Sequence, residues 1–525
     1  MLKKLVWCAA FCLGLAPTLR AGTPMTVAQA VLDRLYATNG NYKFKKPKLV
    51  ITNENKKVAA YVPWKNNILL DEKAYHICQS FGRDSLAALA FMLGHELVHA
   101  FQSEIRGGRV QTNFLAYNRS YSADVRLEKV ADIQGLFNAY LAGYGVLKIM
   151  PDLIGRIYED YDLTGKTLPG YPSLEERKAS CEEVLAIADD LRELFESCNY
   201  LLVIGQNTLA SSGYEYILQY YQGLEIYNNL GLAYTRIAQQ FWNPQTDRFI
   251  YPMEADWYSK LARSARGPVS MDPTEQPLRG AFLEKAVDNF RMAAQLDPNY
   301  LPARINMVCA LNLMGKPVEA LKYAEMNLLK VIDGHKNGRK PEPEMAELAL
   351  GITYALQPGE GRKSEAAAIF KRLSASQYVM SALYGQQNLQ ALLGITDANV
   401  LTSLPLPEGF RLLVHQMELG RTSDLKRIPM DPAAGIYFAR KREFDSATIV
   451  FSNDRGNLVS LLRFRDRTMA KASILAPEDD LNAAAYRNIM AAKDGFYIHE
   501  PNDRVVVKVS AKGQVLEMVK YVIHG

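Results

Sequence analysis

"GHELVHAFQSE", residues 94–104, places two of the chain's seven histidines four positions apart, with a glutamate directly after the first. Upstream, Asp84 and Ser85 offer a helix start, and Leu86, Leu89, Phe91, Met92 and Leu93 follow with apolar, helix-forming character. The pattern predicts a helix from 85 to about 102, ending before Gly107 and Gly108. Residues four apart on a helix are displaced by only about 40° around the axis, so His95 and His99 share one face. Their imidazoles can then reach a single cation at about 2.0–2.1 Å. Glu96 stands beside them, where a carboxylate can take a proton from water activated at the metal, the working content of an HExxH motif. Two histidines alone also arise at helix ends and in core pockets, so a metal reading needs a third ligand.

"RLEKVADIQGLFNAYLAGYG", residues 126–145, supplies one on a second predicted helix. Glu128 and Asp132 stand four apart on one face, with small Ala131 and Gly135 among them. Small residues let one helix backbone approach another closely enough for a Glu to reach a shared metal. Asp132 is placed to accept the ring N–H of a metal-bound histidine and so fix its tautomer. The alternative is a solvated face shared with Lys129. Val130, Ile133, Leu136 and Phe137 argue against it.

HExxH followed by ExxAD resembles the gluzincin metallopeptidase family of HtpX, CAAX prenyl endopeptidase and BepA type, over roughly residues 26–200. The resemblance implies a zincin-type peptidase with one Zn2+ per chain, held by His95, His99 and Glu128. Glu96 would be the general base, with Asp132 and Arg177 behind the ligands. "KLVITNENKKVAAYVPWKNNILLDEKAYHIC", residues 48–78, matches the short strands that precede the metal helix in that family. It implies that Asn67, Ile68, Leu69 and Leu70 form the edge strand along which an extended peptide lies. The alternation in 49–52 and 59–62 independently suggests a small antiparallel sheet with an open edge, suited to peptide binding by strand addition. "YPSLEERK", residues 171–178, matches a family segment that reads His-Pro and then Arg. Pro172 and Arg177 agree, whereas Tyr171 replaces the histidine; a tyrosine hydroxyl can also donate to an oxyanion.

At 525 residues the chain exceeds a single core, so two to four domains are expected. Its 61 basic and 56 acidic residues are interspersed without a basic cluster, which excludes a charge-based case for nucleic-acid binding. Lys3 and Lys4 precede an apolar run over 5–16, and Leu19, Arg20 and Ala21 form a small-residue cleavage site. Residues 1–21 thus read as a signal peptide, giving an exported, periplasmic protein. The run is too short for a bilayer of about 30 Å, and no later segment approaches a membrane span. Of the cysteines beyond it, Cys181 and Cys198 fall on one long predicted helix over 173–198, beyond disulfide reach. With Cys78 and Cys309 they read as buried thiols. His76, His335, His415, His499 and His524 show no ligand spacing and read as surface or core residues.

Residues 201–395 read as helical. Tyr227, Leu230, Gly231 and Tyr234 have the spacing of a tetratricopeptide repeat's first helix, and Ala286, Phe290, Ala293 and Pro298 that of its second helix and closing turn. Gly315, Ala320 and Tyr323, then Leu350, Gly351, Tyr354, Ala366 and Phe370, repeat these features. About three irregular repeats are expected, of a type that offers concave surfaces to peptides or partner proteins. From 401 onward Pro405, Pro407, Pro429 and Pro432 suggest a linker or loops, followed by alternating strands with turns at 453–456 and 511–513. The expected fold class is multidomain and mainly α: an α+β zincin-type peptidase domain at 22–200, tetratricopeptide-like repeats at 201–395, and a β-rich or α+β domain at 401–525. The expected function is an exported zinc metalloendopeptidase in envelope protein quality control, its repeats recruiting unfolded or stalled proteins or envelope partners. The alternative is a repeat scaffold or assembly factor whose zinc unit is regulatory, slow or structural, though a structural zinc has no need of Glu96.

Overall fold

In the computed structural model the described residues are 23–55, 57–106, 112, 114, 122–166, 172–253, 276–334, 342–376, 379–395, 427–431, 433, 435–443, 446–453, 456–464, 489–492, 495–500, 504–510 and 514–523. The expected signal peptide and the prolines at 405, 407 and 432 lie outside them. The chain divides into two compact units, Met1–Glu193 and Leu194–Gly525. It is mainly helical, with two sheets among the described residues.

The first unit opens with α1 (Pro24–Asn39), whose N-terminus is capped by Thr23 accepting the Thr26 N–H. Strands β1 (Lys48–Thr52), β2 (Ala59–Val62) and β3 (Asn67–Asp71) follow, then helices α2 (Glu72–Gln79), α3 (Ser85–Arg106), α4 (Ser122–Leu141) and α5 (Met150–Asp160). Asp71 ties this region together: its carboxylate caps α2 at the Lys73 N–H and accepts the Asn55 N–H and the Tyr161 hydroxyl. Helix α3 is the core element, with Phe91, Met92, Leu93 and Leu97 fully buried. It runs one turn beyond the expected end and packs on α1 and α4.

The sheet corrects an expectation. Its order is β1-β3-β2, with β3 parallel to β1 and antiparallel to β2. Asn67, Ile68, Leu69 and Leu70 therefore form the central strand of a mixed sheet, not the open edge of an antiparallel one. Residue alternation reports which face a side chain takes, and both backbone edges of β3 are used by neighbours. The outer edges belong to β1 and β2.

Helix α6 (Leu174–Val203) starts with a capping box that the sequence reading overlooked: Ser173 Oγ accepts the Glu176 N–H, and Glu176 Oε2 accepts the Ser173 N–H. The second unit continues with α7 (Asn207–Leu218), α8 (Leu224–Ala238), α9 (Gln276–Leu296), α10 (Leu301–Leu313), α11 (Pro317–Asn327), α12 (Leu329–Gly334), α13 (Glu342–Leu356), α14 (Glu360–Ser374) and α15 (Val379–Leu392). Helices α8 and α9, α10 and α11, and α13 and α14 pack as successive pairs. Glycine sets two of these crossings. A Cβ on Gly231 would lie 2.6 Å from the Phe290 ring, and one on Gly351 2.8 Å from the Phe370 ring. Of the segment between α8 and α9, residues 239–253 are described. There Asp247 forms a buried pair with Arg279 of α9, and Asn388 of α15 holds both the N–H and the C=O of Ile250.

Strands β4 (Arg427–Asp431), β5 (Ile436–Glu443), β6 (Ser446–Asn453), β7 (Gly456–Phe464), β8 (Ile489–Ala492), β9 (Gly495–Glu500), β10 (Val505–Ser510) and β11 (Val515–Ile523) form one antiparallel sheet in the order β4-β5-β6-β7-β11-β10-β9-β8. The strands flanking both expected turns pair, β6 with β7 as far as Asn453 and Gly456 and β10 with β11, while residues 454–455 and 511–513 lie outside the described residues. Pro429 lies in β4 rather than in a loop. As β4 ends the sheet and bulges after Pro429, the missing N–H leaves no central ladder bond unmade. Buried Arg463 of β7 donates to Glu517 of β11 and to Glu196 of α6, and the Tyr200 hydroxyl donates to the same Glu517, pinning the sheet to the helix. Cys78, Cys181, Cys198 and Cys309 are buried and form no disulfide among the described residues, as expected. Among the described residues no helix is long and apolar enough to cross a membrane.

Candidate metal centre

The site forms where α3 crosses α4. Gly94 and Gly135 face each other there; a Cβ on Gly94 would lie 3.0 Å from the Gly135 carbonyl oxygen. With the backbones this close, a side chain as short as glutamate spans from α4 to the histidines of α3. His95 Nε2 and His99 Nε2 are 3.0 Å apart, and Glu128 Oε2 lies 3.2 Å and 3.3 Å from them. Three corners of a tetrahedron around an ion with bonds of about 2.0–2.1 Å would be separated by about 3.3 Å. The buried trio of His95, His99 and Glu128 can therefore hold one metal ion.

The ring orientations require positive charge at that point. His95 Nδ1 donates to Asp132 Oδ1 at 2.8 Å, and His99 Nδ1 donates to Gln102 Oε1 at 3.1 Å. With their protons on Nδ1, both rings aim Nε2 lone pairs at each other and at a carboxylate oxygen. Three acceptors in contact repel unless a proton on one Nε2 or a metal ion lies among them. Burial alone would pull the His95 imidazole down, but Asp132 and Glu128 outweigh it and raise it to about 10. Burial likewise pushes Glu128 up, and His99 and His95 overcome this and bring it down to about 2. The carboxylates of Asp132 and Glu128 thus favour positive charge at the two imidazoles.

Asp132 is itself held. Arg177, on the first turns of α6, donates to Asp132 Oδ2 at 2.5 Å and Oδ1 at 3.0 Å, and both side chains are buried. Burial would raise the Asp132 carboxyl, but the Arg177 guanidinium and His95 hold it well below the usual range. Arg177 fixes Asp132, and Asp132 fixes the ring of His95.

Glu96 stands outside the trio. Its Oε2 accepts the Thr112 hydroxyl at 2.7 Å, while its buried Oε1 has no hydrogen-bond partner among the described residues. Burial pushes its carboxyl above the usual range, against the pull of His95, His99 and the Thr112 hydroxyl. A buried carboxylate of raised proton affinity, next to a metal pocket and with one oxygen free, suits a proton acceptor. The same Thr112 Oγ accepts the Tyr61 N–H at 2.7 Å, joining Glu96 to strand β2. Phe114 packs with its ring 5.0 Å from that of His95 and 5.6 Å from that of Phe91.

The structure brings His95, Glu96, His99, Glu128, Asp132 and Arg177 together as the sequence suggested. One expectation about α4 needs adjusting: Ile133, Leu136 and Phe137 are buried, but Val130 is 38% exposed. Tyr171 lies outside the described residues. His76 is exposed and His499 buried, neither belongs to the trio, and the other expected non-ligands, His335, His415 and His524, are outside the described residues. Gln102, Thr112, Phe114 and Gly94 were overlooked. Gln102 was within reach, being one turn beyond His99 on the same helix; nothing in the spacing of a connecting segment points to Thr112 or Phe114. No protein-family model matches the chain, and neither does any curated protein.

Proposed function

We propose that the protein is a zinc-dependent metalloendopeptidase. The observation that carries this reading is the convergence of His95 Nε2, His99 Nε2 and Glu128 Oε2 beside the half-satisfied carboxylate of Glu96. Two imidazoles and one carboxylate suit zinc in a catalytic site that keeps a fourth position open. Held by His95, His99 and Glu128, zinc would supply Lewis acidity toward the scissile carbonyl and toward water. Glu96 accepts the proton of the attacking water at Oε1 as the C–O bond forms. It then returns that proton to the amine as the C–N bond breaks. Asp132 and Gln102 keep the two rings aimed while this happens, and Arg177 keeps Asp132 ionised and in place. Tyr171 is assigned by its sequence position to donate a hydrogen bond to the developing oxyanion.

The remaining assignments are proposals of the same kind. The paired helices from α8 to α14, with glycine meeting phenylalanine at equivalent crossings, support tetratricopeptide-like repeats that recruit unfolded protein clients or envelope partners. The apolar run at 5–16 supports export, with quality control in the periplasm as the role. The test is Glu96→Gln, which keeps shape but removes the base. It should bind zinc as the parent does and lose hydrolysis of unfolded proteins by about 10²- to 10⁴-fold. Equal cleavage by both proteins at equal zinc content would overturn the assignment.

A further inference from the structure

An extended peptide joins a sheet by taking unpaired backbone groups at an edge. Here β3 has partners on both sides, which leaves the outer edge of β2 as the one adjoining Glu96. That edge is taken by the chain itself. The Thr112 N–H donates to the Tyr61 carbonyl at 3.1 Å, and the Phe114 N–H donates to the Ala59 carbonyl at 3.0 Å. A step of two residues forward along one segment matches two backward along β2, which is the antiparallel sense of strand addition. The remaining Tyr61 N–H is used as well, by the Thr112 hydroxyl, which in turn occupies one oxygen of Glu96. Phe114, 1% exposed, fills the apolar space between Phe91 and His95. No peptide can add to this edge beside Glu96 while Thr112 and Phe114 hold it.

We propose that Thr112 and Phe114 form a built-in pseudosubstrate, which keeps the site latent until an extended peptide bearing a large apolar side chain replaces them on β2. The proposal rests on the peptidase reading for its consequence, but its geometry is that of peptide binding. The Thr112 hydroxyl bridges the edge strand and the carboxylate, so occupancy of the edge and the partner of Glu96 change together. In the released state the Ala59 and Tyr61 carbonyls and the Tyr61 N–H pair with the client backbone. The space filled by Phe114 takes the client's apolar side chain, and the preferred client is an unfolded segment with aromatic or branched apolar residues.

The test uses the zinc-loaded full chain carrying Glu96→Gln, so that bound peptide is not cleaved, with and without Phe114→Ala. A short fluorescein-labelled peptide with one central Phe is titrated by anisotropy, and backbone hydrogen exchange is read over residues 58–62. Phe114→Ala should tighten peptide binding about tenfold or more, the equivalent of removing ~1.4 kcal/mol of competing contact. It should also speed exchange in 58–62 without peptide and slow it again when peptide is bound. Thr112→Val, which keeps the N–H but loses the hydroxyl, serves if Phe114→Ala fails to fold and should tighten binding in the same direction. Equal peptide affinity with and without these substitutions, whether tight or absent, would overturn the proposal. Failure of the peptidase reading has a different signature: binding would tighten as stated, yet Phe114→Ala with Glu96 intact and zinc bound would cleave nothing.

Discussion

Gly135 meets His95 backbone to backbone: a Cβ at position 135 would lie 2.8 Å from the His95 nitrogen. Nothing larger than hydrogen fits between α4 and the first histidine of the candidate metal trio. Gly135→Ala should therefore push the helices apart, costing about 1–3 kcal/mol as overpacking does. It should also weaken zinc binding, because Glu128 leaves the two Nε2 atoms. Thermal unfolding and a zinc titration check both effects. Loss of stability with unchanged zinc affinity would mean that the crossing serves packing alone.

Asp132 and Arg177 stand behind the candidate ligands, and substituting either one breaks their buried ion pair. Asp132→Ala frees the His95 ring and should weaken zinc binding by about 10- to 100-fold. Arg177→Met leaves a buried carboxylate without its cation and should destabilise the fold by about 3–5 kcal/mol. Both follow from the bidentate pair and the Asp132–His95 bond. Competition with a chelator and denaturant unfolding give the two numbers. An Asp132→Ala protein that kept parental zinc affinity would remove Asp132 from the account.

How much of this was legible follows from what periodicity encodes. His95 and His99 share a face because helical spacing fixes it, and Glu128 with Asp132 follows by the same rule, so the metal trio could be read directly. Gly231, Phe290, Gly351 and Phe370 stood out by their spacing, but that each glycine meets its phenylalanine across a helix crossing was not legible, because spacing within one helix does not name the partner helix. The place of β3 was not, since alternation separates the two faces of a strand and says nothing of its neighbours. Pro429 looked like a loop residue because proline lacks a ladder donor, and an edge strand tolerates that loss. Thr112 was invisible because its partners, Tyr61 and Glu96, lie 51 and 16 positions away in unrelated elements.

The crossing of α8 and α9 gives a prediction independent of the candidate metal site. Gly231→Ala places a methyl group within the Phe290 ring contact. It should cost about 1–3 kcal/mol without touching zinc affinity. A matching loss of zinc binding would count against the independence of the two regions.

His499 carries a pH dependence. It is buried beside the Tyr521 hydroxyl, and burial lowers its imidazole to about 3. Its unfolded value is about 6.5, so above that pH it has no effect. Below it, the unfolded chain takes up a proton that the folded chain refuses, and stability falls as pH drops toward 3. Between pH 7 and 5 the loss from this group should be about 2 kcal/mol. His499→Gln should lower stability at pH 7 yet show a shallower fall between pH 7 and 5. Identical slopes for variant and parent, by thermal melts, would contradict this.

The central claim is that His95, His99 and Glu128 hold a zinc ion at which Glu96 hydrolyses peptide bonds. It is tested most directly by cleavage of an unfolded protein such as casein, at matched zinc content. The proteins compared are the parent, Phe114→Ala and Phe114→Ala with Glu96→Gln. The expected result is slow cleavage by the parent, faster cleavage by Phe114→Ala, and a loss of about 10²-fold or more when Glu96→Gln is added. No cleavage by either zinc-loaded protein that retains Glu96, or cleavage that survives Glu96→Gln, would contradict the account.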